Sequence, residues 1–174
     1  MNDYKKWVLN SNEFHPYFKD YIQLVEHEPI LLLLEKQLDI LNKLTEKLTD
    51  EQSLFRYNPG KWSVKEVIGH IIDTERIFGS RAVTFARNDS NALPGFEQDD
   101  YVREAEFDAR PLSNLCDEFY HLRKSNIAFF SALNENQLLR KGKANDVIFS
   151  VRSVAYIMGG HFAHHINVLN EKYI

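Results

Sequence analysis

Residues 62–78 read WSVKEVIGHIIDTERIF, and this stretch decides the fold. Val64, Val67, Ile71 and Phe78 recur at helical spacing, so the segment is an amphipathic helix rather than a strand. Ser63 stands where an N-cap belongs, and Glu66, three positions on, completes a capping box. The pattern predicts a helix from that cap to about Arg87. At 100° per residue His70 lies roughly 80° from the centre of the apolar stripe, beside Thr74 and Ile77, which is a flank.

Working outward, three more long segments carry the same period. Pro29 to Leu48 has Ile30, Leu34, Leu38, Leu41 and Leu48 on one face, with Pro29 suited to a first turn. A third helix starts near Pro111 and uses Leu112, Leu115, Cys116, Phe119, Leu122, Phe129, Phe130 and Leu133. A fourth runs from Ser150 to about Lys172. FHPYFKDYIQLVEHE, residues 14–28, predicts an extra short helix over the bundle, and RKGKAND, residues 140–146, a solvated turn. Residues 88–110, between the second and third helices, form a long loop rich in turn formers, a length that often carries function. The expectation is an all-α four-helix bundle with a long crossover between helices 2 and 3.

With 174 residues and 20.4 kDa the chain reads as one domain, residues 1–174, in which residues 1–28 are an N-terminal extension packing on the bundle. A net charge of -4 and a pI near 6.0 supply no basic stripe, so nucleic acid is not an expected partner. MNDYKKWVLN lacks the apolar run of a signal peptide and no segment approaches the ~20 apolar residues of a spanning helix, which predicts a cytoplasmic protein without membrane contact. The single cysteine, Cys116, cannot form an internal disulfide or a thiolate cluster. Its place on an apolar stripe reads as a buried, inert thiol, and any metal must use nitrogen or oxygen ligands.

GGHFAHHINVL, residues 159–169, places three histidines in five positions. His161 and His165 are four apart and share an arc of about 60° with Val154 and Met158, whereas His164 falls about 90° away. The first two therefore face the interior and His164 its edge. Buried imidazoles need partners. A divalent ion would satisfy them, and so would hydrogen bonds within the bundle. The candidate third ligand is His70, although its position on a flank does not select it. WSVKEV at Trp62 is echoed by FSVRSV at Phe149, each a serine cap leading to a histidine, which either a repeat or capping chemistry alone would produce. His15, His27 and His121 read as surface residues.

Arg123 and Asn126 interrupt the apolar stripe of the third helix, so each needs a partner: a substrate or a neighbour of the metal, or an ion pair with Asp73 or Glu75. Asp73, three positions after His70, is placed to orient a ligand imidazole. Glu97, Asp99 and Asp100 form an acidic run on the crossover, read as a solvated loop or part of a site. No GxSxG elbow, HExxH or phosphate-binding glycine loop is present.

YNPGKWSVKEVIGHIIDTERIF, GSRAVTFARND, LPGFEQDDYV and GGHFAHHINVL together resemble the DinB-like superfamily of metal-dependent bundle proteins, which includes the YfiT-type bacillithiol transferases. The resemblance runs from Leu54 to Leu169. It implies up-down-down-up helix order, a homodimer, and a metal triad of His70, His161 and His165 holding zinc or nickel. It also implies a small-molecule substrate and an S-transferase that conjugates a low-molecular-weight thiol, bacillithiol or one like it, to an electrophile. A metal-dependent hydrolase and a non-catalytic metal-binding stress protein are the alternatives.

Overall fold

The Ser63 hydroxyl accepts from the Glu66 backbone N–H at 3.0 Å while the Glu66 carboxylate accepts from the Ser63 N–H at 2.8 Å, and this box starts helix α3, Val64–Ala86. The computed structural model describes residues 6–174; the polar start at residues 1–5 lies outside the described residues. Around α3 stand three other long helices, α2 at Ile30–Thr45, α5 at Leu112–Ser131 and α7 at Val151–Lys172. These four form the bundle: α3 packs on α7 and α5, and α2 packs on α5 and α7. Pairs that follow one another in the chain, α2 with α3 and α5 with α7, therefore stand at opposite corners.

Shorter elements fill the connections. A five-residue helix α1, Lys19–Gln23, lies against α7 and adds Ile22 to the core. It comes close because Gly160 has no side chain: a Cβ there would stand 2.0 Å from the Tyr21 carbonyl oxygen. The crossover, expected as a loop, contains helix α4 at Gln98–Ala105, with Asp99 and Asp100 in its first turn and Arg103 in its last, as the helix dipole favours. A single turn, α6 at Glu135–Leu138, follows α5.

Residues 140–146 are not merely a solvated turn. Strands β1 (Lys141–Ala144) and β2 (Val147–Ser150) pair antiparallel around Asn145 and Asp146, both at positive φ, the geometry of a two-residue hairpin. Phe149 of β2 is buried against Phe18 and Phe78, which anchors the hairpin to the bundle.

The apolar core divides into two clusters. One gathers Ile30, Leu34, Phe78, Phe85, Phe130, Val154 and Met158; the other Leu38, Leu41, Val67, Ile71, Phe119, Phe162 and Leu169. On each long helix a polar residue stands where one cluster gives way to the other: Gln37, Glu75, Arg123 and His161. The bundle is thus crossed at mid-height by a polar belt. Arg123, fully buried, donates to both Glu75 carboxylate oxygens at 2.7 and 2.8 Å and to Gln37 Oε1 at 2.5 Å, and Asn126 donates to Glu75 at 3.1 Å. Gln37 in turn donates to the Gly159 carbonyl at 2.8 Å. The Arg123, Glu75 and Gln37 side chains thus partner one another, as burial requires.

Candidate metal centre

His70 reaches the belt from the second turn of α3, and its ring is packed by Trp62, the residue before the Ser63 cap, at 4.8 Å between centroids. His161 and His165 descend from adjacent turns of α7, with ring centroids 4.4 Å apart. His70 and His161 are buried and His165 half-buried. His161 Nε2 stands 3.0 Å from His70 Nε2 and 3.1 Å from His165 Nε2. The three potential ligand atoms all lie within 4.8 Å of one another.

A neutral ring nitrogen carries either one in-plane proton or one in-plane lone pair. His161 Nε2 can therefore make only one well-directed hydrogen bond, and its second close contact is left poorly satisfied. A shared cation removes the difficulty. Three nitrogens held at 2.0–2.1 Å by one ion stand roughly 2.9–3.4 Å apart for bond angles between square and tetrahedral. Both short separations fall in that range. Imidazole ligands suit zinc, nickel, copper and iron, so the residues present fit a divalent ion.

The protonation state agrees. Burial, aided by the neighbouring His164, holds His70 down at about 4. Burial and then the His70 and His164 rings hold His165 at about 3, and burial with the same crowding puts His161 well below the usual range. All three are neutral at pH 7, the form that binds metal.

Two openings meet at this cluster. A cavity of about 440 Å³ is lined by His70 and His161 together with Tyr21, Thr74 and Arg81. A second, about 320 Å³, is lined by His165, His164, Trp62 and Tyr173. Asp99, at the start of α4, lines both. Thr74 Oγ1, one turn beyond His70, is the one buried side-chain nitrogen or oxygen among the described residues without a hydrogen-bond partner. A polar atom orphaned on the wall of the cavity that His70 and His161 also line is a place for a bound group.

The remaining sequence expectations fall differently. His164 is exposed, with its ring edge-on to Tyr21 at 5.3 Å. Asp73 lies 3.5 Å from Arg76 and has no bond to an imidazole, so it does not orient a ligand. Arg123 and Asn126 face Glu75, the ion-pair alternative, and line neither opening. Cys116 donates to Thr45 Oγ1 at 3.4 Å and burial pushes its thiol up, away from a reactive thiolate. Thr74 and Arg81 were missed. Both lie on the His70 side of α3, at positions 70, 74 and 81, and that spacing was the available signal.

A sequence profile of the DinB superfamily matches residues 33–169. Among solved structures, YfiT from Bacillus subtilis, described as a "probable metal-dependent hydrolase with an unusual four-helix bundle topology", superposes with a TM-score of 0.74 at 19% identity, covering 95% of each chain. No curated protein matches the sequence. Among the described residues no helix is long and apolar enough to cross a membrane.

Proposed function

The chain belongs to the DinB superfamily, and from that premise and the three converging imidazoles we propose that it is a divalent-metal-dependent S-transferase, joining a low-molecular-weight thiol such as bacillithiol to a small electrophile. Zinc or nickel is the proposed ion, and His70, His161 and His165 its ligands. An ion held there would act as a Lewis acid, lowering the pKa of a thiol or water placed against it.

The observation that carries the reading is that the imidazoles meet where two cavities approach from different sides. Such a plan suits two small substrates. Asp99, on the wall shared by both, is positioned to take the proton that an entering thiol releases. Thr74 Oγ1 offers a hydrogen bond to the group seated at the centre. Trp62 covers His70 and holds its ring in place.

Hydrolysis is the second reading, supported by the description of YfiT. Assays on metal-loaded protein separate the two. A chlorodinitrobenzene-type electrophile consumed only when bacillithiol or cysteine is added supports transfer. Ester cleavage without thiol supports the hydrolase. A melting temperature that responds to metal, with turnover in neither assay, overturns both in favour of a non-catalytic metal-binding protein.

A further inference from the structure

We propose that Arg81 is the anchor for an anionic group, a carboxylate or phosphate, at the end of the substrate remote from the metal centre. Arg81 is 6% exposed and lines the larger cavity. Its guanidinium gives one N–H to the Pro94 carbonyl at 3.0 Å and lies over the Phe78 ring, 4.9 Å from the centroid. No carboxylate stands within ion-pair distance of it among the described residues: Glu97 and Asp99, on the same cavity's wall, are exposed and unpaired with it. The other two buried arginines, Arg123 and Arg152, each hold a buried glutamate.

A buried cation without a counter-charge is costly, and burial already pulls on this guanidinium. It is tolerated where a ligand supplies the missing charge, and a planar fork of donors matches a carboxylate or phosphate. His70, Thr74, Phe78 and Arg81 fall within an arc of about 80° on α3. They make one lining stripe: imidazole, unpartnered hydroxyl, aromatic ring, guanidinium. Helical side chains lean toward the N-terminus, and Arg81 does so over Phe78, which puts its charge roughly 10–15 Å from the histidines at 1.5 Å per residue. The larger cavity therefore selects an elongated, singly or doubly charged anion whose reacting end meets the metal. The partners of α3's far end support the same placement, because Pro94 is clamped next to Leu93, whose N–H donates to the Lys143 carbonyl at 2.9 Å.

This inference rests on the metal reading, and one experiment tests them apart. Cobalt-loaded protein is titrated with mercaptopropionate, mercaptohexanoate and mercaptoundecanoate and with the alcohol-ended analogue of each, and the thiolate-to-cobalt absorption band is followed. The expected result is a band with every thiol, and a preference of about tenfold or more for acid over alcohol only in the chains long enough to reach Arg81. Arg81→Met should abolish that preference and Arg81→Lys retain part of it. Equal affinity of acids and alcohols at every length in the unmodified protein overturns the anchor. A band absent with all thiols from protein that has taken up cobalt overturns the thiol-transfer reading instead, and failure to take up cobalt overturns the metal reading. The acid-to-alcohol comparison needs no variant, so it stands even where Arg81→Met fails to fold.

Discussion

Gln37 of α2 and Gly159 of α7 are joined by a 2.8 Å hydrogen bond, two residues before His161, and the same Gln37 side chain accepts from Arg123. The helix that carries two of the three histidines is thus tied to the polar belt. Removing Glu75 leaves the fully buried Arg123 without its charge partner, so Glu75→Ala should cost about 3–5 kcal/mol in urea unfolding, whereas a joint Glu75→Leu, Arg123→Met replacement should cost less.

His161 Nε2 is within 3.1 Å of the Nε2 atoms of both other histidines. His161→Ala should therefore lose stoichiometric metal in elemental analysis of protein purified without an affinity tag, with affinity reduced at least a hundredfold. In the unmodified protein, chelation should lower the melting temperature, since an ion bound only by the folded state stabilises it.

The metal-free protein should weaken as the solution is acidified through a definite window. His70 and His165 titrate at about 4 and about 3 when folded, against 6.5 for an ordinary imidazole. Between those limits the unfolded chain binds protons that the folded one does not, so stability is full above about pH 6.5 and falls as the pH drops toward about 3. Urea midpoints measured at about pH 7, 6 and 5 should decline, and His165→Gln should shrink the decline. A flat profile would contradict the buried, neutral imidazoles.

A separate acid step belongs to Glu13. Burial raises its carboxyl, but the Arg152 guanidinium and the Ser150 and Asn10 hydrogen bonds outweigh this and bring it to about 2. Its contribution is present above pH 4.5 and lost as the pH falls from there to about 2, a range that overlaps the lower end of the histidine window and extends beneath it. Glu13→Gln strands Arg152 and should cost about 3 kcal/mol near neutral pH, read from unfolding curves.

Gly160→Ala tests the close approach of α1. Its methyl group would meet the Tyr21 carbonyl, so the short helix must shift, at a cost of about 1–3 kcal/mol. Tyr21, whose ring stands edge-on to His161 at 5.6 Å, would move with it. Hydrogen exchange should quicken in α1 while the four long helices keep their protection.

The long helices were legible because each carries an apolar face at helical period, and His161 and His165 because they share the stripe of Val154 and Met158. The hairpin was not, since four-residue strands reading KGKA and VIFS hold too little alternation; the Asn145–Asp146 pair was its one signal. Helix α4 has a single buried residue, Val102, so its hydrophobic period is nearly silent. His70 sits on a flank of its own helix, and its ring meets Trp62 and the histidine rings of α7, which lie far away in the chain. Arg81 and Thr74 matter through what they fail to pair with, and no local pattern displays a missing partner.

The indole of Trp62 rests on the ring of His70. Its emission should therefore be quenched by a paramagnetic ion such as nickel or cobalt and altered by any ion that turns the imidazole. The chain's other tryptophan, Trp7, is buried against Phe130 in a different cluster and supplies an internal reference. Occupancy of the centre can thus be followed by fluorescence in the unlabelled protein.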